Sequence, residues 1–195
     1  MRDRIVEAAL RVLREDGPLG FTTTKVADEA GISVGSLYQY FPNKHAIVVA
    51  LHDQDVREGL DRVTAILDDD RWSPRRKLTE LTRWFFASEA EEAAALGVAM
   101  GDIELFLRQG GTDAATTEAR ALAFERCAAF LATASPTLQT ADQVRFATEL
   151  AITTVESVAK AVAARPDALA VNRTWADALS GMLAEHFDLH DEPPT

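Results

Sequence analysis

The chain has 195 residues, of which 47 % are hydrophobic, and its formal net charge is −11. This length and apolar content allow a sizeable buried core, which excludes an intrinsically disordered protein. No run approaches the roughly 20 apolar residues that a membrane span needs, and charged residues interrupt the N-terminus where a signal peptide would be apolar. One cysteine excludes an intramolecular disulfide and a cysteine-built metal site. We therefore expect a folded cytoplasmic protein that needs no metal, cofactor or membrane.

The first predicted helix runs from Arg2 to about Asp16 and ends at Gly17-Pro18. Its apolar residues recur at helical spacing on one face: Ile5, Ala8, Ala9, Val12 and Leu13. We expect this helix to cover the two helices that follow and to complete a three-helix head with Phe21 and Leu37 in its core.

The next predicted elements are two short helices joined by a tight turn. Thr23 is a good N-cap for the first helix, and Gly31 can take the left-handed conformation that ends it. Ser33 can cap a second helix over about Val34–Phe41. Pro42 stops this helix because proline has no amide hydrogen and disfavours helix in the preceding residue. This arrangement is a helix-turn-helix, whose second helix can enter the major groove of DNA.

The residue types on the second helix favour DNA as its partner. Its first residues are small, so the backbone can approach base edges. Hydrogen-bonding groups and one cation follow at Ser36, Tyr38, Gln39, Tyr40 and Lys44. No Asp or Glu lies between Ala30 and His52, as a surface that approaches phosphates requires.

The stretch T-T-x-K-V-A-x-x-A-G-I-S-x-G-S-L-Y-x-Y-F-P-N-K resembles the DNA-binding signature of the TetR family of transcriptional regulators. It is most similar to the branch that carries G-S-L-Y-Q-Y-F-P-x-K. The resemblance covers about Arg4 to Leu51, and the remainder matches only in being helical and of suitable length.

The resemblance implies roles for eight residues of the motif. Those implied to hold phosphates are Thr23, Tyr38, Tyr40 and Lys44. Those implied to face base edges are Thr24, Val34, Ser36 and Gln39. Arg2 and Arg4 are interpreted as solvated cations, because N-terminal arginines more often are.

The negative charge is confined to the later part of the chain. Residues 1–50 contain 6 Lys or Arg and 6 Asp or Glu, whereas residues 51–195 contain 14 and 25. The acidic part can point away from DNA, but a neutral head attracts phosphate weakly. We therefore expect modest affinity for each subunit and binding as a dimer.

The rest of the chain also predicts only helices. They are expected over about Asn43–Leu67, Pro74–Glu89, one or two within Glu91–Leu107, then Asp113–Ala134, Thr140–Ala164 and Val171–Phe187, with a frayed tail from Asp188. The expected fold is all-α, a three-helix head joined by a long helix to a larger ligand-binding and dimerisation domain. The expected domains are residues 1–50 and 51–190, with 191–195 as the frayed tail.

The penultimate predicted helix carries a narrow stripe of Ala and Val from Val144 to Val162, which would let another helix approach closely. In the resembled family the last two long helices pair with their copies in a second subunit. The residues expected in that dimer contact are Ala147, Ala151, Val155, Val158, Val162, Trp175, Leu179 and Met182. Internal packing of the same stripe is the alternative.

By family analogy the larger domain holds a pocket for a small-molecule effector. The candidate lining residues are clustered apolar side chains: Trp84, Phe85, Phe86, Met100, Phe106, Phe124 and Phe130. Ordinary core packing is the alternative for each. Asp102 or Glu104 could point inward and favour a cationic ligand, although an apolar site with both acids solvated is the preferred interpretation.

The sequence does not favour an enzymatic function. It has no convincing strand, no glycine-rich phosphate loop after one and no nucleophile elbow, and its four histidines form no metal set by spacing. Cys127 is interpreted as a small core residue. An all-helical enzyme using Asp102 and Glu104 remains open, as does a helix-bundle interaction protein that binds no DNA.

The function expected from the residues and the resemblance together is a homodimeric transcriptional regulator, interpreted as a repressor. Its partners would be a near-palindromic DNA operator, a second copy of itself and an unidentified small molecule that releases it.

Overall fold

The computed structural model describes residues 1–96 and 114–191, and every regular element within them is an α-helix. The helices are α1 (Arg2–Gly20), α2 (Thr23–Glu29), α3 (Val34–Tyr40), α4 (Lys44–Leu67), α5 (Pro74–Leu96), α6 (Ala114–Ala134), α7 (Ala141–Ala163) and α8 (Ala168–His186). The all-α fold class is confirmed for these residues.

The helix-turn-helix follows its local signals closely, with its first cap shifted by one residue. The prediction that Thr23 caps α2 is wrong: Thr22 is extended, and its side chain accepts a hydrogen bond from the Lys25 amide. Gly31 follows α2 with a φ of +64°, a left-handed conformation that glycine adopts without strain. The Ile32 amide then donates to the Ala27 carbonyl at 2.9 Å, which closes the C-terminus of the helix.

α3 is bounded as the sequence predicts. Ser33 is extended and its side chain accepts from the Ser36 amide. Phe41 leaves the helical conformation with φ −134° and ψ 109°, which is extended, as the residue before Pro42 should be. The Asn43 side chain accepts from the Ala46 amide at 2.9 Å and so caps α4.

α5 extends beyond its predicted end at Glu89 to Leu96. Residues 90–96 are Ala, Glu and Leu, all strong helix formers, so nothing ends the helix earlier. Near its start the buried Lys77 ammonium donates to the Leu67 carbonyl at 2.7 Å. This bond satisfies a carbonyl that the end of α4 leaves free, and it places a cation at the negative end of that helix.

The segment after α8 is ordered through His190, which corrects the expectation of fraying from Asp188. Leu189 is 2 % exposed, and its amide donates to the Ala184 carbonyl at 2.8 Å. The His190 carbonyl accepts from the Arg75 amide, which ties this segment to the start of α5. Burial of Leu189 and these two bonds hold the segment in place.

The chain divides into two compact units, one of Met1–Glu58 with Glu92–Glu118 and one of Gly59–Glu91 with Ala119–Thr195. The first unit extends past residue 50, so the spatial division differs from the predicted boundary. α4 begins in the first unit and ends in the second. The functional division into a DNA-binding and an effector-binding domain stays a prediction.

The core of the first unit is built from residues 5–50, with Ile5, Leu37 and Ile47 completely buried. Beyond that core, the carboxylate of Asp53, 1 % exposed, accepts a hydrogen bond from the Thr116 hydroxyl at 2.5 Å. A buried carboxylate needs such a partner to offset its lost hydration.

The core of the second unit draws on α5, α6, α7 and α8 and includes Phe86, Leu131 and Leu183. At its edge the Arg83 guanidinium donates to Asp177 of α8 at 2.5 Å. This hydrogen bond lowers the pKa of Asp177 from its usual value. No helix in residues 1–96 or 114–191 is both long and apolar enough to cross a bilayer.

Candidate nucleic-acid interface

α3 presents one face to the core and the other to solvent. Leu37 is completely buried, which confirms its predicted place in the core, and Phe41, which follows the helix, is 2 % exposed on the same inner side. On the outer side Tyr38 and Tyr40 are 47 % and 46 % exposed, and Gln39 between them is exposed as well. The core therefore fixes the orientation of the side chains that α3 offers to a partner.

The four residues expected to face base edges differ in their surroundings. Thr24 on α2 and Gln39 on α3 are exposed, whereas Val34 is half-buried and packs against the core of the first unit. The Ser36 hydroxyl lies 2.9 Å from the Ser33 hydroxyl, so part of its hydrogen-bonding capacity is used within the turn. Thr24 and Gln39 have the greatest freedom to reach a base.

Two of the residues expected to hold phosphates are brought together by the turn between α2 and α3. The Thr23 hydroxyl lies 3.3 Å from the Tyr38 hydroxyl, across 15 positions of sequence. One of the two hydroxyls donates to the other, so the pair keeps one free O–H donor, which is suited to a phosphate oxygen.

Two cations of the first unit lie on aromatic rings. The Lys44 ammonium is 5.3 Å from the centre of the Phe21 ring, and the Arg2 guanidinium carbon is 5.2 Å from the centre of the Phe41 ring. An aromatic face attracts a cation and limits its motion without neutralising its charge. Sequence reasoning missed the placement of Arg2, because a contact between residues 2 and 41 leaves no local signal.

Two other cations of this unit are neutralised by acids. Arg11 donates to Glu29 at 2.6 Å, and Lys25 donates to Asp16 at 2.9 Å. All four side chains are at least 40 % exposed, so these pairs contribute little to stability. Their effect is on the charge that the unit presents to DNA.

The residues expected in a dimer contact separate into an interior and an exterior group. Those already buried in the single chain are Ala147, Ala151, Val162 and Leu179. Val155 and Val158 are half-buried against the second core, whereas Trp175 and Met182 are 44 % and 68 % exposed. In the single chain the four buried residues belong to the second core, and their role in a dimer contact stays a prediction.

α7 carries a different stripe that the sequence reasoning missed. Its exposed residues without charge recur at spacings of three and four: Phe146, Leu150, Thr153, Ser157 and Ala161. Phe146 is 67 % exposed, and on α8 the exposed Trp175, Ala178 and Met182 continue the pattern. In the sequence, the signal for this stripe was the pair of large apolar residues Phe146 and Leu150, which lie four positions apart and outside the Ala/Val stripe. We call these eight residues the outer stripe.

The described candidates for the effector site lie in or beside the second core. Phe86 is 1 % exposed and belongs to the second core, with Phe85 and Phe130 packed against that core. Trp84 meets Phe85 edge to face and approaches Gly59, where an added Cβ would lie 3.3 Å from the indole. Phe124 is half-buried on α6. Met100, Phe106, Asp102 and Glu104 lie outside the described residues.

An open groove of about 340 Å³ lies instead at the start of α5. Its lining is polar: Arg75, Arg76, Thr79, Glu80, Arg83 and Asp191. Arg83 already pairs with Glu80 and Asp177, and Arg76 lies over the Trp72 ring at 4.7 Å. No aromatic candidate for the effector site contributes to this groove.

The grouping and surroundings of the histidines bear on a metal site. Across 1–96 and 114–191, no three His, Cys, Asp or Glu side chains are grouped as metal ligands. His186 meets Phe187 edge to face, and His190 lies 3.7 Å from Asp188.

Cys127 is expected to react slowly with alkylating agents in the native protein. Burial raises the pKa of its thiol from 9.0 to about 11, so the thiolate that reacts is scarce at pH 8. Because the native pKa is two units higher, the native protein should be alkylated about 100-fold more slowly than the protein unfolded in urea. The native rate should rise as the pH approaches 11. Iodoacetamide labelling followed by mass spectrometry, native against unfolded, measures this ratio. Equal rates would place the thiol in solvent.

The chain matches known proteins most clearly in its first unit. Residues 5–51 match the family model of bacterial regulatory proteins, tetR family. Sixty residues are 32 % identical to the fatty acid metabolism regulator protein of Bacillus subtilis (strain 168), covering 31 % of each chain. Sixty-six residues are 36 % identical to the tetracycline repressor protein class A from transposon 1721 of Escherichia coli, covering 34 % of this chain and 31 % of that protein. The matches thus span about a third of these relatives' length.

The fold match extends over nearly the whole chain. The transcriptional regulator FadR from Bacillus subtilis, solved in complex with stearoyl-CoA, superposes with a TM-score of 0.60 over 92 % of this chain and 98 % of that one. At 20 % sequence identity this likeness shows a shared fold.

Proposed function

We propose that this chain, whose residues 5–51 match the family model of bacterial regulatory proteins, tetR family, is a homodimeric, DNA-binding repressor released by a small molecule. The observation that carries the proposal is the outer face of α3. Exposed Tyr38, Gln39 and Tyr40 stand on a helix whose inner side is locked by Leu37. A rigid helix with exposed hydrogen-bonding groups and no acid suits the major groove.

The proposed contacts divide by chemistry. Thr23, Tyr38, Tyr40 and Lys44 bind phosphates and set the register of the head on the duplex, whereas Thr24, Val34, Ser36 and Gln39 face the bases. The paired hydroxyls of Thr23 and Tyr38 and the ring-bound Lys44 support this assignment. One such helix reads few base pairs, so useful specificity requires two heads on one operator.

The proposed dimer forms through the outer stripe of α7 and α8 rather than through the buried Ala/Val stripe. Phe146 and Met182 expose about two thirds of their surface in the single chain. Exposed apolar side chains at helical spacing, with no charge between them along the stripe, favour packing against another helix. A second copy related by a two-fold axis supplies the same stripe and a near-palindromic operator mirrors that symmetry.

The proposed effector is apolar. Trp84, Phe85 and Phe124 are half-buried rather than fully enclosed, so they are the described aromatic residues most able to line a site in the second unit. The stearoyl-CoA bound to the Bacillus subtilis relative supports an acyl chain as the kind of group to test first. An effector that prefers a dimer geometry with wrongly spaced heads must lower DNA affinity, by linkage. α4, which runs from the first unit into the second, is the proposed link.

An electrophoretic shift with genomic fragments, competed by excess unrelated DNA, tests the proposed activity. A fragment that stays bound under competition supports a regulator, and acyl compounds that release it identify the effector class. Failure to retain any fragment would favour an interaction protein built on the same helices.

Gln39→Ala is expected to relax the preference at one base position in each half-site. A glutamine that pairs with adenine through two hydrogen bonds contributes about 1–3 kcal/mol of discrimination, and alanine removes both bonds. Selection of binding sites from a random library measures the change. Lys44→Ala is the comparison: it should weaken binding to all sequences alike. An unchanged preference in Gln39→Ala would remove Gln39 from the base-reading set.

A further inference from the structure

We propose that Arg2 is an additional phosphate-binding residue of the DNA-binding face, held in place by the ring of Phe41. The proposal rests on the proposed DNA-binding function and extends its contact set to the start of α1. The sequence alone favoured a solvated Arg2, whereas its guanidinium carbon lies 5.2 Å from the ring centre of a core residue.

The position of Arg2 on α1 directs it toward the helix-turn-helix. Ile5, Val6 and Ala9, at three, four and seven residues after Arg2, are all buried in the first core. Residues at these spacings share one face of a helix, so Arg2 lies where the buried face of α1 reaches its N-terminal end. Arg14 lies 12 positions later, about 120° around the helix from Arg2 at 100° per residue, and is exposed.

Phe41 places this cation next to the proposed contacts. It directly follows Tyr40, the last residue of α3, and it is fixed by the core at 2 % exposure. The guanidinium on its ring therefore lies at the C-terminal end of the helix proposed to enter the groove. The negative end of a helix favours a cation there.

The charges of the first 50 residues leave Arg2 available for phosphate. Arg11 and Lys25 are paired with acids, but among the described residues Arg2 has no acid within ion-pairing distance. Arg2 resembles Lys44 in this respect, since the Lys44 ammonium also lies on an aromatic ring. A guanidinium adds two parallel N–H donors, the arrangement that binds phosphate most effectively. The ring restrains the guanidinium, and Arg2 as a residue remains exposed to solvent.

The salt dependence of binding to a duplex of random sequence tests this inference. Each phosphate contact contributes about 0.9 to the slope of log K against log salt concentration. Arg2→Gln and Arg2→Met should each lower the magnitude of the slope by about 0.9 for every head bound. The methionine keeps an apolar stem on Phe41, so agreement between the two variants separates lost charge from lost packing. Arg2→Lys should keep the slope.

Arg14→Gln is the matched control, since it removes the same charge from an exposed position of the same helix. A slope in both Arg2 variants equal to that of Arg14→Gln would overturn the inference. Lys44→Gln separates this failure from failure of the proposed function. A wild-type protein that binds no duplex refutes the function, whereas loss of slope in Lys44→Gln but not in the Arg2 variants refutes only the role of Arg2.

Discussion

Replacing Leu37 by alanine is expected to unfold the helix-turn-helix while the second unit stays folded. The Leu37 side chain is completely buried among residues of α1, α2 and α4 in the first core. Truncation of a buried leucine costs about 2–5 kcal/mol through lost burial and the cavity it leaves. That cost is a large part of the roughly 5–15 kcal/mol that stabilises a typical domain. DNA binding should be lost with the fold of α3.

The distribution of aromatic residues allows the two units to be followed separately. All three tryptophans, Trp72, Trp84 and Trp175, belong to the second unit. In Leu37→Ala, amide hydrogen exchange in residues 34–40 should accelerate, while the urea midpoint reported by tryptophan fluorescence stays unchanged. Gln39→Ala, at an exposed position of the same helix, is the control and should alter neither signal. Unchanged exchange in Leu37→Ala would contradict the packing of α3.

Glutamate in place of Phe146 or Met182 is expected to give monomers that bind the operator on the order of 100-fold more weakly. Each side chain is about two thirds exposed in the single chain, so the substitution leaves the core intact. Across a two-fold axis the new charge meets its own copy and must lose its hydration against it. Sedimentation velocity measures the assembly, and fluorescence anisotropy with the selected operator measures the affinity.

Leu122→Glu is the matched control for these variants, because Leu122 on α6 is 50 % exposed and lies outside the outer stripe. It should remain dimeric. Ala151→Glu, which the sequence alone would have predicted to yield monomers, should instead destabilise the second unit, since Ala151 is 8 % exposed. Dimers that survive both Phe146→Glu and Met182→Glu would place the interface elsewhere.

The parts of the fold that were predictable from the sequence depend on neighbours in the chain. Gly31, Ser33 and Pro42 act through their own torsions and hydrogen bonds, so the bounds of α3 follow from local chemistry. Thr140 and Gln143 form a capping box at the start of α7 for the same reason. The exposed Tyr38, Gln39 and Tyr40 followed from helical periodicity once α3 was placed.

The parts that were not predictable depend on which distant surface covers a residue. The periodicity of Ala147 and Ala151 marks a buried face of α7 but does not say whether α8 or a second chain buries it. Leu189 is held by contacts that the composition of a polar tail does not reveal. The contact of Arg2 with Phe41 spans 39 positions, and an arginine beside the N-terminus gives no sign of it.

The second unit is held together by contacts between residues far apart in the sequence, such as the bond between the Arg75 amide and the His190 carbonyl. These contacts have a consequence for the order in which the chain folds. The first core uses residues 5–50, and its ion pair between Arg11 and Glu29 closes a separation of 18 residues. The pair between Arg83 and Asp177 closes 94, which costs about 1.5 kcal/mol more in loop entropy. Local contacts form faster, and synthesis proceeds from the N-terminus. A chain still on the ribosome thus acquires its helix-turn-helix before it can complete the unit that carries the proposed dimer surface.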